Sequence, residues 1–160
     1  MKGISLDIAP THSAVVFWQD EEIDDFSHTV IKTGKIVDME RWLTETICRY
    51  EILEGVDWVA VEKSIYINNA RNTINLGKLI GAIEITCDQL MIQYFEGTTA
   101  EIDSANCVDH QQDRKTQNRN LAEILLPERK LNEDECDAVA IGLWGWGKFR
   151  QYQFNKEALE

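Results

Sequence analysis

Four acidic residues, far apart in the chain, have types and settings suited to binding a hard divalent cation. Asp7 closes the apolar-rich run Lys2-Gly-Ile-Ser-Leu-Asp7, and Glu62 closes Asp57-Trp-Val-Ala-Val-Glu62. Asp134 and Asp137 fall in Asn132-Glu-Asp-Glu-Cys-Asp-Ala-Val-Ala140, which reads as the start of a helix. A carboxylate at the end of a buried strand costs desolvation, and strand carboxyl ends are where open α/β sheets place their ligands. A spacing of three puts Asp134 and Asp137 on one helix face. Oxygen donors of this kind can hold two divalent ions about 4 Å apart astride a scissile phosphate, which is the chemistry of metal-assisted phosphodiester hydrolysis. Singly, each acid has a plainer reading. Asp7 can cap a loop, and Asp134 and Asp137 suit a helix N-terminus through capping and the macrodipole. On two strand ends and one helix start together, they point to a single site.

The elements that would position them follow from periodicity. Residues 2–7, Ala14-Val-Val-Phe-Trp18 and Phe26-Ser-His-Thr-Val-Ile31 read as three strands of an antiparallel meander. The turns between them are Ala9-Pro10-Thr11 and the acidic Asp20-Glu-Glu-Ile-Asp-Asp25. Met39, Trp42, Leu43, Thr46, Ile47 and Tyr50 recur at helical spacing over 37–50, and a strand at 57–62 follows. A helix over 71–89 gathers Leu76, Leu79, Ile80 and Ile83 on one face, with Gly77 and Gly81 four apart. Leu90-Met-Ile-Gln-Tyr-Phe95 reads as a fifth strand and 96–113 as a loop. A short helix over 115–126 stops before Pro127, and a last helix covers 133–149. Three antiparallel strands followed by alternating helices and strands predict an α/β fold, with a five-stranded mixed sheet flanked by helices.

At 160 residues the chain reads as one domain, 1–160, able to bury a core without staples. Its four cysteines (Cys48, Cys87, Cys107, Cys136) form no Cys-x-x-Cys pair, and His12 and His28 have no partners at metal-ligand spacing. That usage predicts reduced thiols in the cytoplasm, not a disulfide framework or a zinc site. The N-terminus runs straight into a strand, and no apolar run approaches about 20 residues, so neither export nor a membrane span is expected. Trp144 and Trp146 read as packing residues, not as a cofactor site.

The formal charge of −12 would not by itself indicate a DNA-binding protein, whose affinity is dominated by phosphate neutralisation. Two bound divalent ions would bring it to −8, and the 20–25 stretch holds five of the acids. The cations are grouped: Arg71 with Lys78, Arg114-Lys115 with Arg119, Arg129-Lys130, and Lys148 with Arg150. Binding through such patches is local and strongly salt-sensitive.

The block Ala60-Val-Glu-Lys-Ser-Ile-Tyr-Ile-Asn-Asn-Ala-Arg-Asn-Thr-Ile-Asn-Leu-Gly-Lys-Leu-Ile-Gly81 resembles the RuvC-type Holliday junction resolvases, nucleases with an RNase H-like fold. It is similar to their acidic strand end, asparagine-containing loop and Leu-Gly-x-x-x-Gly helix. Asp134-Glu-Cys-Asp-Ala-Val-Ala-Ile-Gly142 resembles their closing Asp-x-x-Asp-Ala-x-Ala run, and Ile4-Ser-Leu-Asp-Ile-Ala-Pro10 their opening strand. The likeness spans nearly the whole chain, with 20–56 and 96–113 matching in pattern only.

This resemblance implies a structure-specific endonuclease that resolves four-way DNA junctions as a symmetric homodimer. Asp7, Glu62, Asp134 and Asp137 would be the ligands of two magnesium or manganese ions per site. Lys115 matches a basic residue near the scissile phosphate, and Arg114 and Arg119 would grip flanking backbone. Ile65, Tyr66, Asn69, Arg71 and Lys78 fall among the DNA-facing positions, and Leu76, Gly77, Ile80 and Gly81 on the helix that meets its mate. The family's Asp-x-Gly reads Asp7-Ile-Ala9 here, and its aromatic wedge position reads Ile65, followed by Tyr66. The short chain and altered wedge are closer to phage-encoded members, which act in the bacterial host cytoplasm, than to bacterial ones.

Two alternatives keep the same surface. One is a broader nuclease for forks, flaps and loops, and the other a branched-DNA-binding protein with little catalysis. An actin-like ATPase shares the topology but needs a second lobe and glycine-rich phosphate loops, and neither is present.

Overall fold

In a computed structural model, residues 1–9, 13–20, 22–29, 38, 41–45, 55–63, 70–106 and 112–158 are described, with only the backbone for 24–29. Five strands, β1 (Lys2–Ile8), β2 (Ser13–Gln19), β3 (Glu22–Thr29), β4 (Trp58–Glu62) and β5 (Gln93–Gly97), form one sheet in the order β3-β2-β1-β4-β5. β1 pairs antiparallel with β2 and parallel with β4, and β4 pairs parallel with β5. The helices are α1 (Ala70–Gln89), α2 (Thr99–Ala105), α3 (Arg114–Leu125) and α4 (Glu133–Glu157). The sheet is therefore mixed and flanked by helices, as the sequence patterning predicts, in keeping with the RNase H-like fold that the resemblance implies.

Both sheet faces are covered, and strand alternation decides which residue faces what. Ile4, Leu6, Val15, Phe17, Val59 and Val61 pack against Leu76, Leu79, Ile80, Ile83 and Cys87 of α1. Leu43, within the helical residues 41–45, joins that layer. Ala14, Val16, Trp18, Trp58 and Ala60 face the other way, onto Cys136, Ala138–Ile141, Trp144 and Phe149 of α4, with Ile102 of α2 and Ala122 of α3. Fully burying an aliphatic side chain stabilises by about 1.5–3 kcal/mol, so α4 is held chiefly by this central run. Glycine permits its close approach. A Cβ on Gly145 would lie 2.4 Å from the Ala60 Cβ, and one on Gly142 would lie 2.2 Å from the Trp18 ring.

Four boundaries differ from the periodicity. The 96–113 stretch contains α2, started by a reciprocal Thr98–Glu101 capping box that satisfies two orphan amides. The acidic 20–25 stretch is not a free turn, because Glu22 onward is already in β3. Leu90 and Met91 form a turn with Met91 at φ +57°, so β5 begins only at Gln93. α4 continues to Glu157, since neither proline nor glycine follows Gly147 to break it. Among the described residues, no helix is long and apolar enough to cross a membrane.

Candidate active site

Alternation along β1 puts Asp7 on the same sheet face as Ser5, the face covered by α4. Glu62 lies on that face too, two residues beyond Ala60. In the parallel register Leu6 pairs with Val61, so Asp7 and Glu62 come side by side one step further on, at the carboxyl ends of the central strands. The other side of the site is fixed by a buried tether. The Ser5 hydroxyl donates to the Ala138 carbonyl (2.7 Å) and accepts from Trp18 Nε1 (2.8 Å). Ser5 is two residues before Asp7 and Ala138 one after Asp137, so this bond seats the head of α4 over the end of β1. Asn132 caps that helix. Its side chain accepts from the Glu135 amide (2.9 Å), while the Glu135 carboxylate accepts from the Asn132 amide (2.8 Å).

Asp7 lies within electrostatic reach of the other three acids. Burial, followed by the charges of Asp137, Asp134 and Glu62, pushes the Asp7 carboxyl up to about 7, against the pull of Arg114. Burial also raises Asp137, offset by a hydrogen bond from Asn118. Burial together with neighbouring like charge is compatible with a cation-binding site.

The neighbouring groups are specific. Glu62 accepts from the Thr99 hydroxyl on Oε1 and from Arg114 Nη2 on Oε2 (3.1 Å). Arg114 also donates through Nε to Asp103 (2.9 Å). Burial opposes the guanidinium charge, and the bonds to Glu62 and Asp103 outweigh it, raising the Arg114 pKa. Asn118 is buried, donates to Asp137 Oδ1 (2.6 Å) and leaves its own Oδ1 unpaired.

The donor chemistry suits a hard divalent ion, because the site offers carboxylate oxygens with an excess of negative charge. Among the described residues, no three acidic, imidazole or thiol groups converge closely enough to enclose one as the side chains stand. Glu62 is turned to Thr99 and Arg114, and Asp137 to Asn118.

Of the remaining predicted positions, Lys115 is exposed and paired with Glu133 (2.6 Å), a bond that raises its pKa, and it also feels Asp137. Arg119 reaches the same Glu133 at 4.0 Å. Arg114 turns inward to the acids instead of outward. Arg71 and Lys78 are exposed on α1. Leu76 and Ile80 pack into the core, whereas Gly77 and Gly81 have open space where a side chain would be. Ile65, Tyr66 and Asn69 lie outside the described residues. Thr99, Asp103 and Asn118 escaped the sequence reading. The first two lie in the stretch read as a loop, although Thr98-Thr-Ala-Glu101 carried a capping-box signal. Asn118 precedes Leu121, Ala122 and Leu125 at helical spacing, which places it on the inward face of α3.

No protein-family model matches the sequence, and no curated protein matches it either. Solved structures do. Thermus thermophilus RuvC matches with a TM-score of 0.73 at 15% identity, over 90% of this chain and 92% of that one. The fold is that of RuvC. The same protein solved in complex with a Holliday junction substrate gives a TM-score of 0.70 at 14% identity, with the same coverage. The yeast mitochondrial Holliday junction resolvase Ydc2 matches at 0.62 and 10% identity, over 99% of this chain and 84% of that one. The match to RuvC spans nine-tenths of the chain, so the likeness reaches well beyond the 60–81 block that first resembled the family.

Proposed function

We propose that this protein is a divalent-metal-dependent endonuclease that resolves four-way DNA junctions as a homodimer, folding as one domain over 1–160. One observation carries the reading: in a RuvC fold, buried Asp7 feels the charges of Glu62 at the neighbouring strand end and of Asp134 and Asp137 at the head of α4. Two magnesium or manganese ions held there supply activation of water for in-line attack and stabilisation of the leaving oxygen. The protein's own groups do the rest. Ser5 fixes the distance between β1 and α4, and Asn118 orients the Asp137 carboxylate. Lys115 and Arg119, at the rim of the acids, offer cations to the phosphates flanking the cut.

Symmetric cutting of two strands needs two such sites related by a two-fold axis. The outer face of α1 supports a dimer contact, because Ile74 (57% exposed), Gly77, Lys78, Gly81 and Ile85 (53% exposed) recur along one stripe. The glycines let a second helix approach closely. Ile65 and Tyr66, which follow β4 in the sequence, are the positions we assign to the branch point, and Asn69 and Arg71 are further positions we assign to DNA contact. The aliphatic Ile65 in place of an aromatic wedge favours a second reading, a nuclease with broad taste for branched DNA. With DNA as substrate, the bacterial cytoplasm would be its place of action.

A panel of end-labelled immobile junction, fork and linear duplex, incubated with wild-type protein and magnesium or manganese, tests this. Paired nicks placed symmetrically on the junction support resolution. Fork cleavage at equal rate moves the assignment to general debranching, and equal cutting of linear duplex contradicts both.

A further inference from the structure

Arg114 is the unexpected member of the site. Its guanidinium bridges two carboxylates of different standing: Glu62, on the rim of the acid cluster, and Asp103 of α2, outside it. Asp103 and Glu62 are partly buried, each with 19% of its side chain exposed, and Arg114 is 30% exposed, so water screens these pairs only in part. Arg114 is the first residue of α3 and is followed by Lys115. The Glu62 oxygen that accepts from Nη2 is Oε2, and the other is taken by Thr99.

We infer that Arg114 is an internal counter-cation that competes with divalent metal for Glu62 and is kept within reach by Asp103. The inference rests on Glu62 being a metal ligand, as proposed above. A carboxylate oxygen accepting from a guanidinium at 3.1 Å has one of its lone pairs taken and a full positive charge beside it. A small doubly charged ion cannot share the position without strong repulsion from the guanidinium. Glu62 Oε2 therefore accepts one or the other, and the apparent metal affinity is lowered by the stability of the arginine contact. Asp103 gives the device direction. When Glu62 turns to metal, Nε stays bonded to Asp103 while Nη2 is released at the edge of the site, where a phosphate oxygen is the natural acceptor. The arrangement stabilises the acid cluster before metal binds and supplies a phosphate donor afterwards.

The test is Mn2+ binding without DNA, by titration calorimetry and by the EPR signal of free Mn2+, on wild type, Arg114→Gln, Arg114→Lys and Glu62→Gln. The competitor role predicts that Arg114→Gln binds Mn2+ on the order of tenfold more tightly. Arg114→Lys, which keeps the charge but cannot bridge both acids, should fall between it and wild type. Melting curves in EDTA should show Arg114→Gln less stable than wild type and regaining the difference with Mn2+. Unchanged or weaker Mn2+ binding in both Arg114 variants, with Glu62→Gln binding clearly impaired, overturns the competitor role and leaves Glu62 a ligand. Undiminished binding in Glu62→Gln overturns the ligand reading itself, and the competitor role with it.

Discussion

Asp7 is a carboxylate whose charge the fold disfavours. Its carboxyl is pushed to about 7 by burial and by three neighbouring acids, whereas the unfolded chain titrates near the ordinary aspartate value. Between those two values the folded state holds a proton that the unfolded state has lost, so stability declines as pH rises from about 4 to about 7 and stays low above that. In EDTA, Asp7→Asn should therefore raise the melting temperature at pH 8 and have little effect near pH 4. Added Mg2+ should stabilise wild type more at pH 8 than at pH 5. A variant that melts below wild type at pH 8 would show that repulsion does not govern this position. The strand-end placement of Asp7 and Glu62 was legible from sequence, because acid at an apolar strand end is costly enough to need a reason. The neighbouring Thr99, Asp103 and Asn118 were not, since each is an ordinary polar residue whose importance comes from what tertiary packing sets beside it.

At the scale of elements, the site depends on the fit of α4 to the sheet. Gly145 and Gly142 let the helix lie directly on Ala60 and Trp18, and the Ser5–Ala138 bond sets its level. Gly145→Ala would force a methyl into the space of the Ala60 methyl and should cost about 1–3 kcal/mol by overpacking, although alanine is the better helix former. Urea denaturation gives the value directly, and an unchanged or raised midpoint would mean that α4 has room to shift. The mixed five-stranded sheet and α1 were readable, since buried strands and a regular apolar stripe are strong signals. The extra length of α4 and the presence of α2 were not. Beyond Phe149 the helix is nearly all exposed and carries no apolar rhythm, while α2 is short and buries only Ile102.

For the whole molecule, the charge of −12 and the symmetry of the proposed reaction are the governing facts. On the proposed function, a protein this acidic would approach DNA through a few cationic positions, and two copies would double those positions across one junction. The outer stripe of α1 is where we place the second copy. Gly81→Arg, at a position where no described residue lies within 4 Å of an added Cβ, should leave the melting temperature within a few degrees of wild type yet shift sedimentation from dimer to monomer. It should also uncouple the two nicks on a junction. A dimer that survives the change puts the two-fold elsewhere. Leu76 and Ile80 share the helix but serve the core, a division that helical periodicity alone could not make, because a stripe facing the core and a stripe facing a partner look alike in sequence.

The most direct measurement compares wild type with Asp137→Asn on a labelled immobile junction in magnesium, in manganese and in EDTA, with binding followed on the same samples. The account predicts paired nicks from wild type with either metal and none in EDTA. It predicts a loss of at least about a hundredfold in the variant, with junction affinity retained. Tight junction binding with no cleavage in any metal, or cleavage that survives both EDTA and the substitution, would contradict it.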